Sequence, residues 1–411
     1  MKTVTGWRAH VAVLAVTVGA TAAFGVPVLH SIGVLDPADP ASAIYAISPD
    51  GTWAVGYSNG PNSTASANIQ RAIVWSTGTG LVQLPQATDF AGAPVDTNGA
   101  ATGVVVRPVA GTIGIGGGFM NTSNQMQMYY YGAPLATPGS GTWLSAPVTR
   151  TVGPYNTAAV RTTTIGTTEQ WFVGGDRPGT IRDYVQGVDG GPSLDHRNSP
   201  YDVGSNSISG TANTAGWDVG NPSSARRAIW MNSNNGTVQT VIPGGSGVLS
   251  EAFGINGLNN ILSGYDATDA SNSQAFIWKV GDAAMTLLAN PTYDAQATAI
   301  DVNLIGGDWI AAGYAAGGGA EQAVVWDTAH VWGDAGQPKY LAAMLAARGV
   351  DMSDWAALNR VTTMSDDGTT LAGYGKWAAD GSTRGFVVVV PEPSMMLLLV
   401  LGGVPLLRRR R

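Results

Sequence analysis

The chain contains no cysteine in its 411 residues. That absence excludes disulfides, thiolate-bound zinc, iron–sulfur clusters and thiol nucleophiles together. It does not argue against export, because a domain of this size can bury enough apolar surface without cross-links. Charge is also scarce, at 12% of residues, which argues against a helical bundle rich in Glu, Lys and Arg. Histidine, the commonest general base, occurs four times. His30, His196 and His330 stand far apart without companion motifs and read as structural or surface residues. No HExxH, GxSxG or GxxxxGK[ST] pattern occurs, and the run Gly114–Gly118 lacks the lysine and helix start of a phosphate loop. A D-x-D-x-D-G calcium run is missing as well, so Asp266, Asp269, Asp334, Asp351 and Asp354 read as solvated loop charges. No catalytic residue, cofactor or metal site is expected.

The formal net charge of −7 hides an asymmetry. Six of the 21 basic residues are Lys2, Arg8 and Arg408 to Arg411; the other 15 stand against 28 acidic ones, a balance of −13. An acidic body repels nucleic acid and leaves cations, neutral glycans and other surface proteins as partners.

Both ends look like targeting segments. Lys2 and Arg8 precede the apolar run Val11–Val18, and Ala20-Thr21-Ala22 follows as a small-residue cleavage pattern. This predicts a secretory signal peptide over residues 1–22, recognised by the secretion machinery and signal peptidase. At the other end, residues 390–411 combine Pro391-Glu392-Pro393, the 13-residue apolar run Met395–Leu407, and Arg408, Arg409, Arg410 and Arg411. The two prolines force an extended peptide, and the arginines would stay cytoplasmic by the positive-inside rule. As a helix the run spans roughly 20 Å against a hydrocarbon core of about 30 Å. That favours a transient hold over a permanent anchor. These three parts resemble the PEP-CTERM sorting signal of bacteria that make exopolysaccharide. The resemblance implies an exosortase-like membrane enzyme as partner, with Pro391, Glu392 and Pro393 as the motif it recognises.

Between the tags the sequence repeats. AISPDGTWAVGY (46–57), GINGLNNILSGY (254–265), AIDVNLIGGDWIAAGY (299–314) and TMSDDGTTLAGY (363–374) each precede an aliphatic strand: RAIVW, QAFIW, QAVVW and RGFVVV. RRAIW, ending at Trp230, marks a partial copy, and Trp230, Trp278 and Trp326 are spaced by 48. Two weaker copies, IGIGGGF with QMQMYY and QWFVGG with IRDYVQG, bring the number to seven units of about 50 residues. Asp-Gly marks tight turns, and the glycine before tyrosine permits close approach of a neighbouring backbone. The turns Ser48–Gly51 and Ser365–Gly368 resemble the Asp-boxes of sialidase-like propellers, one residue short, and read as turn-stabilising.

Units of this length stacked about an axis predict an all-β, β-propeller-like repeat domain over 26–390, of six or seven blades. The last unit ends one strand short at FVVVV (386–390), so Val26–Leu35 is expected to supply the missing strand. One inserted helix is expected at 339–348 (KYLAAMLAAR), packed on a propeller face and stopped at Arg348-Gly349. The repeats resemble HAF-type extracellular repeats. The reading is an exported protein of the cell surface or extracellular matrix, with a structural or binding role involving exopolysaccharide or other surface proteins. A glycosidase- or lyase-like enzyme on the same scaffold is the alternative, and a permanently anchored lectin a third.

Overall fold

A computed structural model describes residues 25–390, except 62–67, 88–97, 121–125, 146–155, 166–167, 177–182, 188–192, 197–202, 209–213, 220–225, 233–237, 257–260, 270, 292–295, 318–319 and 333–336. The expected signal peptide and the 391–411 sorting segment, with Pro391, Glu392, Pro393 and the terminal arginines, lie outside the described residues.

Val26–Val390 forms one compact unit. A short strand β1 (Val28–Ser31) comes first. Blade one then holds β2 (Ser42–Ile47), β3 (Ala54–Gly60), β4 (Ile69–Ser76) and β5 (Gly80–Gln83), and blade two β6 (Gly99–Arg107), β7 (Thr112–Met120), β8 (Met126–Pro134) and β9 (Thr142–Ser145). Blade three is β10 (Asn156–Ile165), β11 (Thr168–Asp176), β12 (Asp183–Gly187) and β13 (Ser193–His196). Blade four is β14 (Val203–Ile208), β15 (Thr214–Val219), β16 (Arg226–Asn232) and β17 (Val238–Val241). Blade five comprises β18 (Leu249–Asn256), β19 (Ile261–Ala267), β20 (Ser273–Lys279) and β21 (Thr286–Leu287). Blade six comprises β22 (Gln296–Ile305), β23 (Asp308–Gly317), β24 (Ala320–Asp327) and β25 (Lys339–Tyr340). Blade seven has β26 (Trp355–Met364), β27 (Thr370–Trp377) and β28 (Thr383–Val389), completed by β1 in the order β1-β28-β27-β26.

Within each blade, sequential strands pair antiparallel. The first strands touch one another in a closed circuit, β2, β6, β10, β14, β18, β22, β26 and back to β2. The molecule is a seven-bladed β-propeller. The closing pair sets Val28 opposite Val389 and Ser31 opposite Phe386, as the missing-strand argument anticipated. Val390 continues the order: it is 4% exposed, and its N–H donates to the Thr369 carbonyl at 2.8 Å.

The core lies between blades. Ile32, Ile44, Ile73, Trp75 and Val387 fill the seam between blades seven and one. Val55, Val74, Val104, Ile115 and Tyr129 fill that between blades one and two. A unit that leaves such a face open cannot stand alone, and each side chain of this size contributes about 1.5–3 kcal/mol when fully covered. Polar contacts at the inner strands join blades five, six, seven and one. Asn256 donates to the Asn303 amide oxygen, and Asn303 donates to the Ser365 carbonyl at 2.6 Å. The Met364 N–H donates to the Asp301 carboxylate at 2.9 Å, and Thr362 donates its hydroxyl to the Ile44 carbonyl at 2.8 Å.

The two Asp-turns stabilise themselves and each other. The Ser48 hydroxyl and the Thr52 N–H donate to Asp50, and the Ser365 hydroxyl and the Thr369 N–H donate to Asp367 in the same pattern. Gly51 and Gly368 take φ of +71° and +70°, the left-handed turn position that favours glycine. The Asp366 N–H then donates to the Pro49 carbonyl at 2.8 Å, joining blade seven to blade one.

Two expectations need correction. The segment 339–348 is not a single inserted helix. Lys339–Tyr340 pairs with Val324 and Val325 as the outermost strand of blade six, and the helix α1 covers only Leu341–Ala347. Its Leu341, Met344 and Leu345 are buried against blades six and seven. It ends as expected: Gly349 has φ +81°, and the N–H groups of Gly349 and Val350 donate to Ala346 and Leu345. Trp230 is also out of register with the other tryptophans. Trp278 and Trp326 lie opposite Leu262 and Ala311, two residues before the motif glycines Gly264 and Gly313. Trp230 lies opposite Ala215, only one residue before Gly216. A one-residue slip sends a side chain to the opposite sheet face, so the equal 48-residue spacings join positions that are not equivalent.

Candidate functional site

The glycine–tyrosine motif builds the most distinctive side-chain arrangement in the protein. In all seven blades the first strand carries an extra residue at the same height: Tyr45, Thr102, Ala158, Asn206, Phe253, Ile300 and Thr362. Just before each bulge, the paired residue of the second strand is a glycine: Gly56, Gly117, Gly175, Gly216, Gly264, Gly313 and Gly373. The bulge turns a carbonyl toward that glycine. A Cβ on Gly56, Gly264, Gly313 or Gly373 would lie 1.9, 2.0, 2.0 or 1.9 Å from the carbonyl oxygen of Ala43, Glu251, Thr298 or Arg360. The glycine is therefore a steric requirement of the bulge.

The next residue is tyrosine in four consecutive blades: Tyr265 in blade five, Tyr314 in six, Tyr374 in seven and Tyr57 in one. On the third strand each faces a small residue, Ala275, Ala323, Gly385 or Ala72. Directly opposed residues share a sheet face, so these small partners leave room for the rings. The same position is Gly118, Asp176 and Trp217 in blades two, three and four. The bulge residues add rings: Tyr45 lies 5.7 Å from Tyr57, and Phe253 stacks 5.9 Å from Tyr265. The outcome is an arc of phenols on the two strands nearest the axis, spanning blades five to one. Its tyrosines are partly exposed, Tyr45 most of all at 36%.

Two ion pairs sit under the arc. Arg360 on β26 lies 4.1 Å over the Tyr314 ring and binds both carboxylate oxygens of Glu321 on β24, Nε to Oε2 at 2.6 Å. The hydrogen bonding to Glu321 raises the already high pKa of the guanidinium. Arg226 on β16 meets Glu251 on β18 at 3.1 Å. Glu251 and Arg360 occupy equivalent positions opposite Tyr265 and Tyr374, so one seam carries the reverse charge order of the other. Burial pushes the phenols of Tyr45, Tyr57, Tyr265 and Tyr374 above their ordinary range, further from ionisation.

The residues singled out from sequence fall elsewhere. His30 sits in β1 with its ring 5.6 Å from Trp75, His196 ends β13, and His330 takes a φ of 56° in the loop after β24. Asp266 is not solvated: it is 4% exposed, and the Ser246 N–H donates to both its oxygens at 2.9 and 3.0 Å. Asp269 and Asp351 accept from the N–H groups of Ser271 and Ser353 in exposed turns, and Asp354 is exposed. Asp334 lies outside the described residues. The acidic groups beside the arc are engaged, Asp301 by the Val302 and Met364 N–H groups and Glu251 and Glu321 by arginine. Among the described residues no group of three or more His, Asp or Glu could hold a metal ion, and no helix is long and apolar enough to cross a membrane.

Burial lowers the His30 pKa below 6.5. The folded protein therefore binds this proton less readily than the unfolded chain. Its contribution to stability is complete above pH 6.5 and is lost as pH falls from there through the folded value. Urea midpoints measured from pH 7.5 to 5 should decline in this window, and the decline should be shallower in His30→Phe.

No family model matches the chain, and no curated protein matches it in sequence. Among solved structures it is similar to TolB from Acinetobacter baumannii, with 12% identity and a TM-score of 0.42 over 68% of this chain and 62% of that one. The chain thus spans less than two thirds of the length of TolB. It is similar to the Dos1 propeller, with 10% identity and a TM-score of 0.42 over 87% and 94% of the two chains. A third similar structure is the β-propeller domain of the Trilobed protease from Pyrococcus furiosus, with 9% identity and a TM-score of 0.47 over 86% and 96%.

Proposed function

We propose that this chain is an exported protein, sorted and processed through its C-terminal signal, whose propeller serves as a binding or structural module at the cell surface or in the extracellular matrix. Signal peptidase removes residues 1–22, and an exosortase-like membrane enzyme recognises Pro391, Glu392 and Pro393 while Arg408 to Arg411 hold the cytoplasmic side. One observation carries the reading. The folded unit begins at Val26 and ends at Val390, so both proposed processing sites fall just outside it. Neither cut removes a residue of the closing β1–β28 pair. Exopolysaccharide and other surface proteins are the partners proposed.

Intact mass of the protein isolated from its native cell tests the reading. The expected species begins near Ala23 and lacks Arg408 to Arg411, and replacing Pro391, Glu392 and Pro393 with alanine should leave the tail uncut. A cytosolic species retaining both Met1 and Arg411 would overturn it.

A further inference from the structure

We propose that the phenolic arc is a binding site for a neutral oligosaccharide chain. This deepens the binding role assigned above and rests on that reading for where the ligand is met. Four features argue for this ligand chemistry.

The first is shape. Tyr45 and Tyr57 form an open pair, rings 5.7 Å apart and tilted by 39°, with Tyr45 36% exposed. Sugar rings present flat C–H faces that cover such aromatic surfaces, and their hydroxyls can reach the phenol oxygens. The second is protonation. Phenols are neutral at ordinary pH, and burial moves those of Tyr45 and Tyr57 further from ionisation; each is a donor and an acceptor at once, which suits a ligand made of hydroxyl groups. The third is charge. Arg360 is held by both oxygens of Glu321, and Arg226 by Glu251. A charged ligand would have to break the bidentate Arg360–Glu321 pair, or displace Glu251 from Arg226, to be bound by either arginine. An anionic one would also meet a body, residues 26–390, with 12 more acidic than basic residues. The fourth is repetition. Tyr265, Tyr314, Tyr374 and Tyr57 occupy one register position in successive blades. A row of like contacts fits a polymer of like units better than a single compact molecule.

The test is calorimetric titration of the purified protein with maltohexaose, cellohexaose and xylohexaose, and with a galacturonate hexamer as the charged counterpart. At least one neutral hexamer should bind saturably and the galacturonate should not. Tyr45→Ala should weaken binding about tenfold, which corresponds to the loss of one stacked ring, while Tyr45→Trp should retain it. Tyr57→Phe, which removes only a hydroxyl, should weaken binding about threefold. Circular dichroism and melting temperature check that each variant is folded. The proposal is overturned if no neutral hexamer binds at millimolar concentration, if the galacturonate binds more tightly, or if folded Tyr45→Ala binds as well as the parent. Because the titration uses purified protein, a negative result leaves the sorting reading to its own mass measurement. Conversely, a chain that retained both tags could still bind sugar.

Discussion

Replacing Gly373 with alanine is expected to cost about 4 kcal/mol or more, a large share of the roughly 5–15 kcal/mol that holds a typical domain folded. The added methyl would sit 1.9 Å from the Arg360 carbonyl oxygen and 3.1 Å from the Val361 Cα, both backbone atoms that no rotamer change can move away. Relief requires flattening the bulge, and flattening it shifts every later residue of β26 by one position relative to β27. That would displace Thr363 and Met364, and with Met364 the N–H that holds Asp301 of blade six. Gly313→Ala should behave alike, since its methyl would meet the Thr298 carbonyl oxygen at 2.0 Å. The control is Gly132→Ala in β8, where nothing lies within 4 Å of the new atom. It should change stability by less than about 1 kcal/mol. Urea denaturation of the three variants side by side measures the contrast. Equal midpoints for Gly373→Ala and Gly132→Ala would remove the steric account of the motif.

Removing Val26 to Ile32 is expected to be nearly as damaging, although the segment is only seven residues long. It deletes the whole of β1 and with it the four paired positions Val28↔Val389 to Ser31↔Phe386. It also empties the place of Ile32, which is 3% exposed and packs with Ile44 and Val387. Loss of that side chain alone costs about 2–5 kcal/mol in cores of this kind, and the unpaired edge of β28 adds to it. The melting temperature should fall sharply, and trypsin should cut first after Arg384 in β28, the strand left at the open edge, and then after Lys376 in β27 behind it. A synthetic peptide spanning Val26–Leu35, added in excess, should restore part of the protection. Uniform proteolysis across all blades would show that closure is not what this strand provides.

Much of this architecture is legible in the sequence because its causes are local and repeated. Asp50-Gly51 and Asp367-Gly368 specify turns through their own side chains and φ values. The glycine before tyrosine declares a close backbone approach, and the missing last strand could be inferred by counting. The bulge that needs the glycine is not legible. Its seven residues range from Ala158 to Tyr45 and share no side-chain character. The Ser or Asn closing the first strand is visible as a repeat element. Its role becomes clear only when Asn256, Asn303 and Ser365 are seen joined across three blades. Trp230 shows the opposite hazard: equal spacing implied an equivalence that strand pairing does not bear out.

The phenolic arc was missed for a reason of topology. Tyr57 and Tyr374 lie far apart in the chain, and only ring closure sets blade one beside blade seven. Motif searches look for chemistry at short spacing, and here four repeats each supply one tyrosine at this position, unremarkable alone. Asp266 was misread similarly, since Ser246, which holds it, precedes it by 20 residues on the loop before β18.

The closing pair has a further consequence for the history of each molecule. Val28 and Val389 are 361 residues apart in the chain. Bringing such ends together from an open coil costs roughly 3 kcal/mol more than closing a ten-residue hairpin. That cost falls once the intervening blades are in place and hold the two ends near each other. A chain made from its N-terminus must therefore keep its first strand waiting until its last has formed. Once that last strand forms, its edge can pair with any copy of the first strand that reaches it, including one from a neighbouring molecule. Crowded, newly made chains are thus set up to exchange their first strands and form swapped dimers.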